Sequence, residues 1–276
     1  MNKISNMSGA SNMSGASNMS DTRKIQDAFT GKKAFVAYLM AGDPNLEASA
    51  QLILAAQEAG ADMIEIGIPF SDPIAEGEVI QAAAMRALEA GTRLDGVFAM
   101  VASIKDRTRV PLVFMTYLNP VFVYGYKPFF RRCEEIGICG IIIPDLPFEE
   151  QGEVKDIAGQ YGVEVVTLIA PTSERRIAQI AGNAEGFIYL VSSMGVTGVR
   201  GEITTDLSAM ISEIRRYTDI PIAIGFGIST PEQVRQYTSV ADGVIVGSAI
   251  VRIIGQYGAE AEQHVRDGIR VLLTAK

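Results

Sequence analysis

The sequence is poor in the residues on which much catalytic chemistry is built: one histidine, two cysteines and no tryptophan in 276 residues. Cys133 and Cys139 have neither the number nor the spacing of a metal site or disulfide framework, and both read as reduced thiols. His264 lies in a polar C-terminal stretch with no second His or Cys beside it, which fits a surface side chain rather than a ligand or base. No metal site is expected, so acid–base chemistry must rest on carboxylates, tyrosines or lysines. No apolar run approaches the roughly 18 residues of a membrane span, and the N-terminus lacks the apolar core of a secretory signal. The expected location is the cytoplasm. A net charge of −8 excludes the broad basic surface of a nucleic-acid or anionic-lipid binder, so an anionic substrate has to be held locally.

What is present is a globular composition, 48% hydrophobic and 20% charged, able to bury a large core. The N-terminus repeats Ser-Asn-Met-Ser-Gly-Ala over residues 5–16 and begins a third copy at Ser17. Such small polar residues cannot pack a core, and residues 1–22 are expected to be a disordered extension ahead of one domain spanning residues 23–276. From about Ile25 onward, short β-branched runs alternate with longer segments of helical periodicity, as in parallel strands joined by crossover helices. Candidate strands fall at residues 34–40, 63–68, 112–117, 140–143, 163–169, 186–191, 222–224 and 243–246. Eight βα units in a chain of this length predict a closed (βα)8 TIM barrel.

The competing architecture is an open doubly wound sheet, suggested by Gly225-Phe226-Gly227 between a strand and a helix. A dinucleotide fingerprint would need a third glycine where Thr230 stands, and it belongs in the first βα unit rather than the seventh. In a barrel these glycines have another use. With Gly247-Ser248 after strand eight and Gly195, Gly198 and Gly201 after strand six, they let backbone N–H groups and a helix N-terminus approach a phosphate. The long glycine-bearing connection over residues 191–206 is a candidate lid.

The strongest chemical signal is Glu65, a carboxylate in an otherwise apolar strand. If Met63, Glu65 and Gly67 face into the barrel, burial raises the carboxyl's pKa and keeps it protonated near neutrality, as a general acid requires. Glu76, eleven residues on in the following loop, is expected to be more solvated and ionised. Two carboxylates in different environments form a plausible acid and base pair.

Residues 65–77, Glu-Ile-Gly-Ile-Pro-Phe-Ser-Asp-Pro-Ile-Ala-Glu-Gly, resemble the signature of the tryptophan synthase alpha subunits. Gly42-Asp43-Pro44, Tyr117 with Asn119, Pro144-Asp145-Leu146-Pro147, Gly195-Val196-Thr197-Gly198, Gly225-Phe226-Gly227-Ile228 and Gly247-Ser248-Ala249-Ile250 are similar to that family in the same order. The resemblance implies retro-aldol cleavage of indole-3-glycerol phosphate to indole and glyceraldehyde 3-phosphate, with no metal and no organic cofactor. It implies that Glu65 protonates indole C3 and then accepts the side-chain hydroxyl proton, that Glu76 serves the indole N–H, and that Tyr189 orients the substrate. Backbone groups at Gly198, Gly225, Phe226, Gly227, Gly247 and Ser248 would hold phosphate. Tyr38, Tyr117 and Met115 would wall the indole, and Thr197 would be a lid residue reaching the second acid.

The resemblance further implies a pyridoxal-phosphate beta subunit as partner in an alpha2beta2 complex, docked on the rim formed by residues 69–78 and the loops after strands three and six. Two alternatives are a stand-alone indole-glycerol-phosphate lyase and a non-catalytic, phosphate-binding activating subunit. The sequence departs from the family at two places, with Glu76 where aspartate is usual and Glu78 where proline is usual. The first adds a methylene to the second acid, and the second adds a charge and removes a rigid element.

Overall fold

Alternating side chains on each strand divide the apolar residues into two populations, and both are buried. On the first strand Val36, Tyr38 and Met40 turn into the barrel, whereas Phe35, Ala37 and Leu39 turn out towards the helices. A parallel strand covered on both faces reads as a continuous apolar run, which is why these segments were legible as strands. In the computed structural model, residues 24–192, 207–225, 227–274 and 276 are described, without the side chains of residues 174 and 175.

Strand β1 (Ala34–Met40) leads to α1 (Leu46–Ala59), and β2 (Met63–Gly67) to α2 (Glu78–Glu89) and α3 (Leu94–Ile104). After β3 (Leu112–Met115) come α4 (Leu118–Tyr124) and α5 (Tyr126–Ile136); β4 (Ile138–Ile142) precedes α6 (Gln151–Gly159), and β5 (Glu164–Ile169) precedes α7 (Ile177–Gly182). The chain continues through β6 (Ile188–Val191), α8 (Leu207–Ile214), β7 (Ile222–Gly225), α9 (Pro231–Thr238), β8 (Gly243–Val246), α10 (Ser248–Tyr257) and α11 (Ala261–Leu273). All neighbouring strands pair in parallel, and β8 returns to β1, closing the barrel in sequence order. The open-sheet alternative is thereby excluded.

Strand boundaries differ from the sequence reading at two places with identifiable causes. β4 begins at Ile138 rather than residue 140, because its pairing with β3 shifts between Leu112 and Val113, inserting Cys139 as an extra residue. β3 stops at Met115: the N–H of Thr116 still donates to Ile142 O at 3.1 Å, but Tyr117 has already become the N-cap of α4. At the strand-entry end, a 3-10 turn (Ile25–Ala28) sends Ile25 and Ala28 into the inner core. Both cysteines are free and buried, and His264 is exposed, stacked on Tyr257 with ring centroids 3.6 Å apart. The expected disorder of residues 1–22 falls outside the described residues.

The β1–α1 connection is fastened to α2. Asp43 is 1% exposed, and both of its carboxylate oxygens accept from Arg86 of α2, from Nε at 2.8 Å and Nη2 at 2.7 Å. This forked pair fixes the helix that begins one residue after Glu76-Gly77.

Candidate active site

Tyr38, Glu65 and Val113 stand side by side across β1, β2 and β3, so strand register alone places the carboxyl among inward side chains. Glu65 is 1% exposed, and among the described residues neither carboxylate oxygen has a hydrogen-bond partner. Burial, with the nearby charge of Glu76, pushes its pKa from the ordinary 4.5 up to about 8. The carboxyl is therefore largely protonated at neutral pH.

Glu76 closes the β2–α2 loop and is half-buried rather than freely solvated. The Tyr117 hydroxyl donates to its carboxylate, and the Gln81 side-chain amide donates to its main-chain carbonyl at 2.8 Å. Burial raises its pKa, the hydrogen bond from Tyr117 works against that rise, and the charge of Asp145 adds to it. The two acids thus sit in different settings, Glu76 with a hydroxyl donor and Glu65 with none among the described residues, and Glu76 is drier than its loop position suggested. Burial, then the charge of Glu65, holds the Tyr189 phenol far above its ordinary range. Tyr38 is raised likewise, by burial first and then by Glu76 and Glu65. Both tyrosines remain neutral.

Two glycines make room for these rings. A side-chain carbon at Gly67 would fall well inside contact distance of the Tyr38 hydroxyl, and one at Gly225 would strike the Tyr189 ring itself. Gly225, expected to touch phosphate, lies against the Tyr189 ring. Replacing Gly225 with alanine should lower the rate of the chemical step about a hundredfold, the scale associated with misplacing a positioned group by about an ångström. Single-turnover measurement of product formation tests this, and an unchanged rate would show that Tyr189 can move without consequence.

These residues surround a pocket with about 440 Å³ of empty space, its open mouth included, at the strand-exit end of the barrel. Of the sequence-derived candidates, Tyr38, Glu65, Glu76, Met115, Tyr189, Gly227, Gly247 and Ser248 line it. Tyr117 contributes through its bond to Glu76. Phe226, Thr197 and Gly198 lie outside the described residues, as does most of the candidate lid. Gly77, Ile80 and Ile245 also line the pocket and were not singled out from sequence. Ile245 was accessible to that reasoning, since it alternates with Gly243 and Gly247 on one face of β8. Ile80 continues the buried α2 stripe of Ala83, Ala84 and Ala87.

Gly247 caps α10, and Ser248 is its first residue. The free N–H groups and positive dipole end of that helix give the mouth an anion-binding element. The pocket therefore combines a protonated buried acid, a second carboxylate in a different setting, apolar walls and a helix N-terminus.

A family model described as tryptophan synthase alpha chain matches residues 25–273. The tryptophan synthase alpha chain of Lacticaseibacillus casei is 47% identical over 255 residues, covering 91% of this chain and 96% of that protein. That of Lactiplantibacillus plantarum is 50% identical over 230 residues, covering 83% and 87%. Among solved structures, the tryptophan synthase a2b2 complex of Pyrococcus furiosus has a chain with TM-score 0.82 and 38% identity, covering 88% of this chain and 98% of that one. Tryptophan synthase subunit alpha from Campylobacter jejuni gives a TM-score of 0.79 at 36% identity, covering 90% and 98%. With the match running through all eight strands and both pocket carboxylates, the chain belongs to the tryptophan synthase alpha chain family.

Proposed function

We propose that this chain cleaves indole-3-glycerol phosphate to indole and glyceraldehyde 3-phosphate by a retro-aldol reaction, as the alpha subunit of tryptophan synthase. The observation that carries this reading is Glu65, a buried carboxyl without a hydrogen-bond partner among the described residues, raised to about 8 and facing a pocket that also holds Glu76. Protonated Glu65 gives its proton to indole C3 while ionised Glu76 takes the indole N–H proton, leaving an indolenine. The Glu65 carboxylate then accepts the proton of the side-chain hydroxyl. The carbon–carbon bond to C3 breaks, its electron pair restores the indole ring, and nitrogen recovers its proton from Glu76. Every proton is returned, so the site needs no external acid or base.

Tyr189 orients the substrate beside Glu65, and Tyr38 and Met115 wall the indole. Backbone groups at Gly227, Gly247 and Ser248 receive the phosphate at the α10 N-terminus. Gly198 and Phe226 are assigned to that same phosphate, and Thr197 to the lid, by resemblance alone. This chemistry uses no metal or organic cofactor in the alpha subunit.

The partner in this reading is a pyridoxal-phosphate beta subunit in an alpha2beta2 complex, which takes up the indole. Its support is the exposed apolar surface on the pocket rim, where Ile74 after β2 is 75% exposed and Phe122 and Val123 of α4 are 65% and 75% exposed. A cytoplasmic location accompanies this reading; among the described residues no helix is long and apolar enough to cross a membrane.

Indole release from indole-3-glycerol phosphate, measured with and without a beta subunit, tests both the reaction and the partnership. The expected result is slow release by the isolated chain and acceleration of at least about tenfold on adding the beta subunit, equivalent to a coupling of about 1.4 kcal/mol. Fast release indifferent to the beta subunit would instead favour a stand-alone lyase. Phosphate-ligand binding with no cleavage in the complex would favour a non-catalytic subunit.

A further inference from the structure

Among the candidate wall residues, Tyr117 has a more specific set of contacts. Tyr117, the N-cap of α4 two residues beyond β3, is buried, its ring against Phe70 with centroids 5.4 Å apart. Its hydroxyl oxygen accepts from the backbone N–H of Ile74 at 3.0 Å and of Ala75 at 2.9 Å, and the hydroxyl donates to the Glu76 carboxylate. One phenol therefore holds three consecutive residues of the loop that presents the second acid. An N–H pair aimed at the oxygen leaves its single proton only one productive direction, towards Glu76. Among the described residues no other side chain holds the Glu76 carboxylate by a hydrogen bond; the second hold, from Gln81, grips the Glu76 main chain.

We propose that Tyr117 is the positioning residue of the second acid, fixing the Glu76 carboxylate and the loop behind it through three hydrogen bonds to one hydroxyl. The inference rests on the reading that Glu76 takes up the indole N–H proton. It also accounts for the glutamate in this chain: the longer side chain is held at its tip by a donor from the β3–α4 junction, which removes the freedom that the additional methylene would otherwise bring.

The sign of the pH effect follows from the direction of the hydrogen bond. Glu76 faces Tyr117 from the β3 side, Asp145 from the loop after β4, and Tyr38 and Glu65 from β1 and β2. Asp145 disfavours the ionised Glu76 carboxylate, whereas the Tyr117 hydroxyl favours it. Since Glu76 must be ionised to take the proton, the acid limb of kcat reports its ionisation. The basic limb reports loss of the Glu65 proton, with Glu65 raised to about 8 in the free chain.

The test is the pH profile of indole-3-glycerol phosphate cleavage by the alpha-beta complex carrying Tyr117→Phe. The acid limb is expected to move up by roughly one pH unit, the size of a lost hydrogen bond to a charged group, while the basic limb stays. At its optimum kcat should fall roughly tenfold, with a smaller change in KM, because the lost contact positions a catalytic group rather than binding substrate. Should the phenylalanine variant fold poorly, 3-fluorotyrosine at position 117 keeps the ring and strengthens the donor, and its acid limb should move down. An acid limb unmoved by either replacement, beside lost cleavage in Glu76→Gln, overturns the inference alone. Full activity in Glu76→Gln overturns the second-acid reading and the inference together.

Discussion

Glutamine at position 65 should lower cleavage of indole-3-glycerol phosphate by roughly a thousandfold or more in the complex while leaving the fold intact. General acid–base catalysis typically contributes about 10²–10⁴ in rate, and Glu65 acts twice in the cycle, once as acid and once as base. Glutamine is close in shape to the protonated carboxyl already favoured at neutral pH, so packing around β2 is preserved. A second readout separates lost chemistry from damaged structure. The Glu65 pKa is higher in the folded chain than its ordinary 4.5, so the folded state binds the proton more tightly than the unfolded state. Its contribution to stability is complete below about 4.5 and is lost as pH rises to about 8. Across that window the burden of the buried acid is on the order of 5 kcal/mol. Glu65→Gln should therefore flatten the decline in stability over this range and be the more stable protein at its upper end. Denaturant unfolding at several pH values measures this; parallel stability curves for the two proteins would show that Glu65 titrates normally, and retained cleavage would remove it from the mechanism.

The largest loss of stability is expected from Arg86→Met. The substitution keeps most of the apolar stem but strips Asp43, 1% exposed, of both charged donors. Breaking a buried ion pair on one side costs about 3–5 kcal/mol. The lower figure, about 3 kcal/mol, applies here because the Arg86 side chain is 37% exposed and water can follow its removal. For a barrel of this size that corresponds to a drop in Tm of roughly 6–12 °C. Arg86→Lys restores a charge without the fork and should fall between the two. Because the pair secures α2 just beyond Glu76, Arg86→Met should also lower the cleavage rate at temperatures where the protein remains folded. A melting temperature within about 1 °C of the parent would show that Asp43 finds compensation elsewhere.

The parts of this molecule that were legible in its sequence are those set by local period. Alternating buried strands and helices announced the barrel, and Glu65 stood out because a carboxyl interrupts an apolar strand whose register then fixes its direction. What sequence missed depends on residues far apart in the chain. Glu76 reads as a solvated loop charge until Tyr117, from the β3–α4 junction, closes over it. That Gly225 also leaves space for Tyr189, from the adjacent strand, could not be read from the glycine alone. The strand read from sequence over residues 112–117 included Tyr117. Its actual place, one residue beyond Thr116 where the chain turns into α4, is what allows it to reach the loop.

The glycine and tyrosine pairs also dictate how the pocket can be redesigned. Positions 67 and 38, and positions 225 and 189, behave as two locks whose halves cannot be varied independently. At the first, the hydroxyl comes closest and the ring carbon that carries it lies behind it at 2.7 Å. Phenylalanine at 38 should relieve alanine at 67 in part, a second-site suppression visible as partly recovered stability. At the second, the ring itself is in the way, and removing its hydroxyl relieves little. A library that randomises only cavity-lining residues would therefore leave Gly67 and Gly225 fixed and reject most large changes at 38 and 189 for reasons unrelated to substrate fit.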